Sequence, residues 1–253
     1  MKFPIALQLY SVRDFIEKDL IGTLKAIKEY GYEGVELAGL CGRTAEELKK
    51  ILDDVGLTAI SAHVGFHEMR QDMEKVISDY KLLGCKYIAI PGLAPDDRLD
   101  AENSEKTIED IKKFAQMGLE AGLPLCYHNH DWEFVRIDGE YIFDILYEKV
   151  PHILVEQDSC WLAVAGESPV EYLKKYSGRT PLLHTKDYVG SKKEGNLELR
   201  PNGYGIQDFS SIIKTASECG VEWLIVEQDA PAMDKTSLEC AKLSIDYLKE
   251  VIK

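Results

Sequence analysis

Gly122-Leu-Pro-Leu-Cys-Tyr-His-Asn-His-Asp-Trp-Glu-Phe134 carries three signals in a short space: a glycine after a helix-period segment, an apolar run, and an abrupt polar ending in two histidines, Asp131 and Glu133. Glycine in that place can take the left-handed conformation that closes a helix, and the short link after it feeds a strand. The same punctuation recurs at Gly31-Tyr-Glu, Gly56-Leu-Thr, Gly84-Cys-Lys and Gly220-Val-Glu. Repetition of this kind predicts βα units, and near-continuous apolar strands predict a parallel sheet with its outer face covered by helices.

Working outward from that stretch, apolar runs predict strands over residues 5–9, 34–37, 58–63, 87–90, 123–127, 153–157, 182–185 and 223–226. Helical periodicity lies between them, over residues 20–30, 44–55, 67–83, 104–121, 141–149, 169–176, 206–218 and 235–252. Thr44-Ala-Glu-Glu47 has the form of a capping box. Residues 131–139 read as a small hairpin, and residues 187–205 as a long polar loop of the kind that is functional or mobile. Eight alternations in 253 residues predict an α/β fold, a single (β/α)8 TIM barrel forming one domain over 1–253. An open dinucleotide-binding sheet is disfavoured, because Gln8-Leu-Tyr-Ser-Val-Arg13 stands where a Gly-x-Gly-x-x-Gly would follow the first strand.

The formal charge of -14, from 30 basic and 44 acidic residues, argues against a nucleic-acid partner, which would need lysines and arginines to neutralise phosphates. No stretch approaches the roughly 20 apolar residues of a membrane span, and Met1-Lys-Phe-Pro leads into the first strand with no secretory signal. Cys41, Cys85, Cys126, Cys160, Cys219 and Cys240 form no C-x-x-C pair and read as reduced core residues, with a nucleophilic role for Cys126 or Cys160 the minor alternative. The expectation is a cytoplasmic protein with a small-molecule partner and no membrane or nucleic-acid partner; a homo-oligomer is compatible with the sequence.

In a barrel of this kind the C-terminal strand ends form the active site. Four neighbouring strands end there in His128, His130 and Glu133; Glu156 and Asp158; His184; and Glu227 and Asp229. Carboxylates with one or two imidazoles suit one hard or borderline divalent ion, Mn²⁺ first, with Mg²⁺, Co²⁺ or Zn²⁺ as alternatives. The bland alternative is a rim of salt-bridged residues. Glu36 and His63, at the second and third strand ends, are candidates for substrate hydroxyls.

The chain resembles the xylose isomerase-like TIM-barrel family of sugar phosphate isomerases and epimerases. Gln8-Leu-Tyr-Ser-Val-Arg-Asp14, Gly34-Val-Glu-Leu37, Tyr127-His-Asn-His-Asp-Trp-Glu-Phe134, Asp158-Ser-Cys-Trp161, His184-Thr-Lys-Asp187, Gly203-Tyr-Gly205 and Val226-Glu-Gln-Asp229 carry the likeness. It implies metal ligation by Asp158, His184 and Glu227, with Glu133 as the first ligand because His128 stands where the family's glutamate usually does. His128 and His130 are then left to handle substrate. Trp161, where ketose epimerases have a histidine, would present a flat platform to a sugar face, and Lys186 would contact an enolate, carboxylate or phosphate.

The implied chemistry is metal-assisted proton transfer next to a carbonyl, with Glu133 and Glu227 as the acid/base pair and His130 as an alternative base. The first reading is a sugar or sugar phosphate isomerase or epimerase. The second is a lyase dehydrating a keto-inositol or eliminating from a 3-keto sugar, favoured by the paired His128 and His130. An endonuclease for damaged DNA and a non-enzymatic sugar-binding barrel are the remaining alternatives.

Overall fold

The computed structural model describes residues 3–253; Met1 and Lys2, where the chain was read as lacking a signal segment, lie outside them. Eight parallel strands close into a barrel in chain order. They are β1 (Ile5–Gln8), β2 (Gly34–Ala38), β3 (Thr58–His63), β4 (Ile88–Ile90), β5 (Leu125–His128), β6 (Leu154–Asp158), β7 (Leu182–Thr185) and β8 (Trp223–Val226). Around them lie α1 (Leu20–Tyr30), α2 (Ala45–Val55), α3 (Phe66–Leu83, broken at Asp72), α4 (Ser104–Glu120), α5 (Ile142–Lys149), α6 (Ser159–Val164), α7 (Pro169–Lys175), α8 (Phe209–Cys219) and α9 (Ser237–Val251). The expected TIM barrel is the observed one.

The glycine punctuation works as its chemistry dictates. Gly31, Gly56, Gly84 and Gly220 close α1, α2, α3 and α8 with φ of 92°, 80°, 86° and 86°, a left-handed region that L side chains rarely enter. Thr44 forms the capping box with Glu47, and Thr236 forms a second one with Glu239 at the head of α9.

Three local features differ from the sequence reading. The first strand stops at Gln8, because the Gln8 side chain accepts the Tyr10 amide and turns Leu9–Val12 into a 3-10 helix. The sixth strand continues to Asp158 and passes directly into α6, a helix not foreseen. Within residues 187–205, Asp187–Val189 pairs antiparallel with Glu198–Arg200, so the stretch is a ribbon as well as a loop. The hairpin after β5 is present, pairing Arg136–Ile137 with Glu140–Tyr141 around Asp138 and Gly139, both at positive φ.

Alternation along the strands sorts side chains into two cores. Leu7, Val155, Leu183, Leu224 and Val226 face outward into the large apolar layer under the helices. Ala6, Ile60, Ala89, Cys126, Leu182 and Ile225 form a separate apolar plug inside the barrel. Two residues further along the same strand faces stand Gln8, His128, His184 and Glu227, so the period of two carries the plug directly into a polar layer at the C-terminal end. Among the described residues no helix is long and apolar enough to cross a membrane. The six cysteines are free; Cys126 and Cys160 are fully buried, and burial holds both thiols well above their usual range, which suits packing and not nucleophilic attack.

Candidate active site

Strand register brings the polar ends together. Asp158 lies opposite His184, His128 opposite Glu156, and His184 opposite Ile225, two residues before Glu227. His128 Nε2 stands 3.4 Å from Asp158 Oδ2 and 3.6 Å from Glu227 Oε2, and His184 Nδ1 stands 3.0 Å from the same Glu227 oxygen. These four residues form a group that could hold a metal ion. His128 and Glu227 line a cavity of about 380 Å³ whose wall also includes Tyr10, His63, His130 and Asp229, and Asp158 and His184 are fully buried beside them.

Each donor is held by a specific contact. Asp158 Oδ1 accepts the Cys160 and Trp161 amides at 2.8 and 2.9 Å, which caps α6 and leaves Oδ2 without a hydrogen-bond partner. Asn129, between the two histidines, accepts the Asp158 amide at 2.9 Å and donates to its carbonyl at 3.3 Å, fixing the backbone at Asp158. Ser159 donates to the His184 carbonyl at 3.0 Å. Lys186 is fully buried, with Nζ 3.2 Å from Asp158, 2.8 Å from Glu227 and 3.0 Å from Asp229.

The electrostatics follow from this packing. Burial works against the charged form of His128, but Asp158 and Glu227 outweigh it and raise its pKa to about 10. His184 is likewise raised well above its ordinary value, burial being overcome by Glu36, Glu156 and Glu227. His130 goes the other way, down to about 3, through burial and the neighbouring positive charges of His128 and Lys186, and is therefore neutral near pH 7. Protons on His128 and His184 offset the carboxylates here, a role that a divalent ion takes over when it displaces them.

The donor set fits such an ion. His128 Nε2 and Asp158 Oδ2 are buried without hydrogen-bond partners. Donors on bonds of roughly 2.0–2.2 Å stand about 3 Å or a little more from one another, which is the spacing found. Two imidazoles with two carboxylates suit Mn²⁺, Co²⁺ or Zn²⁺.

Several expected residues fall elsewhere. Glu133 stands apart from the donor group: its two oxygens accept the Tyr127 hydroxyl at 2.9 Å and the His130 amide at 2.8 Å, and burial raises its pKa to about 7. His128 occupies the place in the group that was expected of Glu133. Glu36 is fully buried inside the barrel, accepting from Gln8 at 2.8 Å and Ser61 at 2.5 Å, and does not reach the cavity wall where a substrate hydroxyl could meet it. Lys186 is sealed among carboxylates instead of facing the cavity, and Trp161 packs against His130, with ring centroids 5.8 Å apart, and under Lys186 Nζ at 5.0 Å. His63 and His130 do line the cavity.

Sequence reasoning assigned no role to Gln8, Asn129 or Asp187. Asp187 accepts the amides of Gly203, Gly205 and Gln207 at 3.0, 2.9 and 3.1 Å and so pins the long β7–α8 connection beside the site. The signal was its adjacency to His184-Thr-Lys, but which amides it would meet is a long-range fact.

Eight βα units with imidazole and carboxylate side chains converging at the C-terminal mouth define a class of barrels whose chemistry gathers at that mouth. Residues 24–251 match the family model described as xylose isomerase-like TIM barrel, and the chain belongs to that family and is an enzyme. It is 26% identical over 256 residues to the inosose dehydratase of Clostridium botulinum (strain Alaska E43 / Type E3), covering 87% of this chain and 85% of that protein. It is 24% identical to the rhizopine catabolism protein MocC of Rhizobium meliloti, covering 89% of this chain and 79% of that one. A solved structure of a sugar phosphate isomerase/epimerase from Parabacteroides distasonis shares the fold with a TM-score of 0.85 at 24% identity, covering 98% of this chain and 99% of that one.

Proposed function

We propose that this enzyme moves a proton at the carbon next to a ketone in a polyhydroxylated substrate, as a sugar or sugar phosphate isomerase or epimerase of the cytoplasm. A divalent ion, Mn²⁺ in the first place, would be held by His128, Asp158, His184 and Glu227. The observation that carries this reading is the convergence of those four buried donors, two of which, His128 and Glu227, line a cavity of sugar size, about 380 Å³. When bound, the ion supplies a Lewis acid that lowers the barrier to losing a proton beside a carbonyl.

The chain's own groups do the rest. His130 is neutral and stands in the cavity wall, so its ring can accept a proton from substrate and return it. Glu227 reaches the same wall from β8 and is the second candidate for that exchange. Glu133, with both oxygens engaged, is left to hold the His130 backbone in place. Lys186 helps hold Asp158 and Glu227 below the usual carboxylate range and ties Asp229 to them.

A dehydratase acting on a keto-inositol or 3-keto sugar is the second reading, favoured by the relatives named inosose dehydratase. It uses the same first proton transfer, followed by loss of a hydroxyl protonated by His130. Incubation of the Mn²⁺-loaded enzyme in D₂O with a panel of keto-sugars and keto-inositols, followed by NMR, separates the two. Exchange at the α-carbon with the carbon skeleton and all hydroxyls retained supports the isomerase, and release of water supports the dehydratase. Absence of exchange on every substrate, with ligand affinity unchanged in Asp158→Ala and His184→Ala, would leave only a sugar-binding barrel.

A further inference from the structure

We propose that a second divalent cation binds deeper in the barrel, held by Glu36, His63 and Glu156 and sharing His184 with the first site. Glu156 lies two residues before Asp158 on β6, on the same strand face, so this set is the layer directly beneath the first. Glu36 Oε2, His63 Nε2, Glu156 Oε2 and His184 Nε2 come from β2, β3, β6 and β7 and lie within 4.8 Å of one another. Neighbouring atoms of the set are 2.7 Å apart for His63 and Glu156, 3.3 Å for His63 and Glu36, 2.7 Å for His184 and Glu36, and 3.7 Å for His184 and Glu156. Those separations bracket the roughly 3 Å expected between ligands of one ion.

One atom of the set, and the second oxygen of one of its carboxylates, lack a hydrogen-bond partner. His184 Nε2 is fully buried and only 2.7 Å from Glu36 Oε2, yet it makes no hydrogen bond. A short approach without hydrogen-bond alignment is what results when two donors aim at a common point and not at each other. Glu156 Oε1, also fully buried, has no hydrogen-bond partner either. The His63–Glu156 hydrogen bond at 2.7 Å is the contact that the ion would replace.

Charge balance points the same way. Glu36 and Glu156 are fully buried and pair with no lysine or arginine among the described residues; their only ionic partners are His63 and His184. Across both layers five carboxylates, Glu36, Glu156, Asp158, Glu227 and Asp229, face one ammonium, Lys186. One divalent ion leaves two of those charges uncompensated, and a second, with the ring proton of His184 released, leaves one. Two imidazoles and two carboxylates select a first-row ion such as Zn²⁺ or Mn²⁺ over Ca²⁺. With an ion on each nitrogen, His184 becomes an imidazolate bridge, and its ring proton is released to solvent as the second ion binds.

The experiment is metal counting on the full chain. Protein stripped with chelator, reloaded with Zn²⁺ or Mn²⁺ and desalted is expected to hold two ions per chain by plasma mass spectrometry. Glu156→Gln and His63→Asn should each hold one, with circular dichroism confirming that both variants are folded. Crystals soaked in Zn²⁺ should give two anomalous peaks, one bonded to His63 and Glu156. One ion per chain in the wild type, unchanged in either variant, overturns this second site and leaves the His128 site standing; no ion at all overturns both.

Discussion

At the scale of single residues, Glu133, expected as a metal ligand, stands outside the group of donors, and His128, expected to handle substrate, stands within it. Glu133 is a carboxylate forced into the protein interior, and desolvation raises its pKa to about 7, more than the hydrogen bonds from its own backbone, Tyr127 and His130 lower it. Its folded-state pKa is above the usual value near 4.5, so between pH 4.5 and 7 the native state binds more protons than the unfolded chain. This term therefore makes stability fall as pH rises through that window and level off above it. Glu133→Gln cannot ionise, and its urea unfolding free energy should improve relative to wild type by at most about 3 kcal/mol between pH 5 and pH 8. An equal difference at both pH values would show that Glu133 is ionised throughout.

The same two residues give a test of ligation. His128→Ala removes a donor whose Nε2 faces Asp158 and Glu227, and it should weaken Mn²⁺ binding by at least about 100-fold in a calorimetric titration, whereas Glu133→Gln should stay within about 10-fold of wild type. The reverse ranking would restore Glu133 as the ligand. Nothing local distinguishes the two candidates: the strand face of His128 and the inward turn of Glu133 toward Tyr127 depend on how β5 ends and the following 3-10 turn packs.

At the scale of elements, the sequence signals are strongest where the physics is local. Glycine caps, capping boxes and strand alternation act over a few residues, and those features of residues 20–30, 58–63, 182–185 and 223–226 are found at the expected bounds. Thr236→Ala breaks the capping box of α9 and should cost about 1 kcal/mol in urea unfolding, without changing metal content. The ribbon at Asp187–Val189 was legible only as a long polar loop, because its strand partners, Glu198–Arg200, lie across the loop and its anchor is a carboxylate collecting amides from Gly203, Gly205 and Gln207. A Cβ at Gly205 would come within 2.2 Å of Asp187 Oδ1 and 2.4 Å of the Tyr188 carbonyl oxygen. Gly205→Ala should displace this anchor, destabilise the protein by about 1–3 kcal/mol, and speed amide hydrogen exchange in the ribbon. Exchange indistinguishable from wild type would show that Asp187 does not hold it.

At the scale of the whole molecule, the polar layer is a cost that the apolar layers carry. The barrel interior holds Glu36, Glu156, Asp158, His184 and Lys186 out of water, and such groups are tolerated only when paired or coordinated. An ion that binds the folded chain alone must then stabilise it. At a free Mn²⁺ concentration 100-fold above its dissociation constant the gain is about 2.7 kcal/mol. For a chain of this size, calorimetry should show the melting temperature higher by roughly 5–10 °C than in chelator. An unchanged melting temperature would remove the metal from the account.

The sequence by itself determined the alternation of strands and helices, the closed barrel they form, and the set of strand ends where the chemistry gathers. Each of these follows from short-range periodicity and turn chemistry, and the barrel then places every strand's C-terminal end at one mouth. Only the tertiary structure decided which of the gathered side chains face one another. Register between β5, β6, β7 and β8 put His128 beside Asp158 and Glu227 and Glu156 beneath His184, closure of the barrel brought Glu36 there from β2, and the 3-10 turn after β5 aimed Glu133 at Tyr127. Those contacts are fixed by strand pairing and by what burial allows, and no local pattern encodes them.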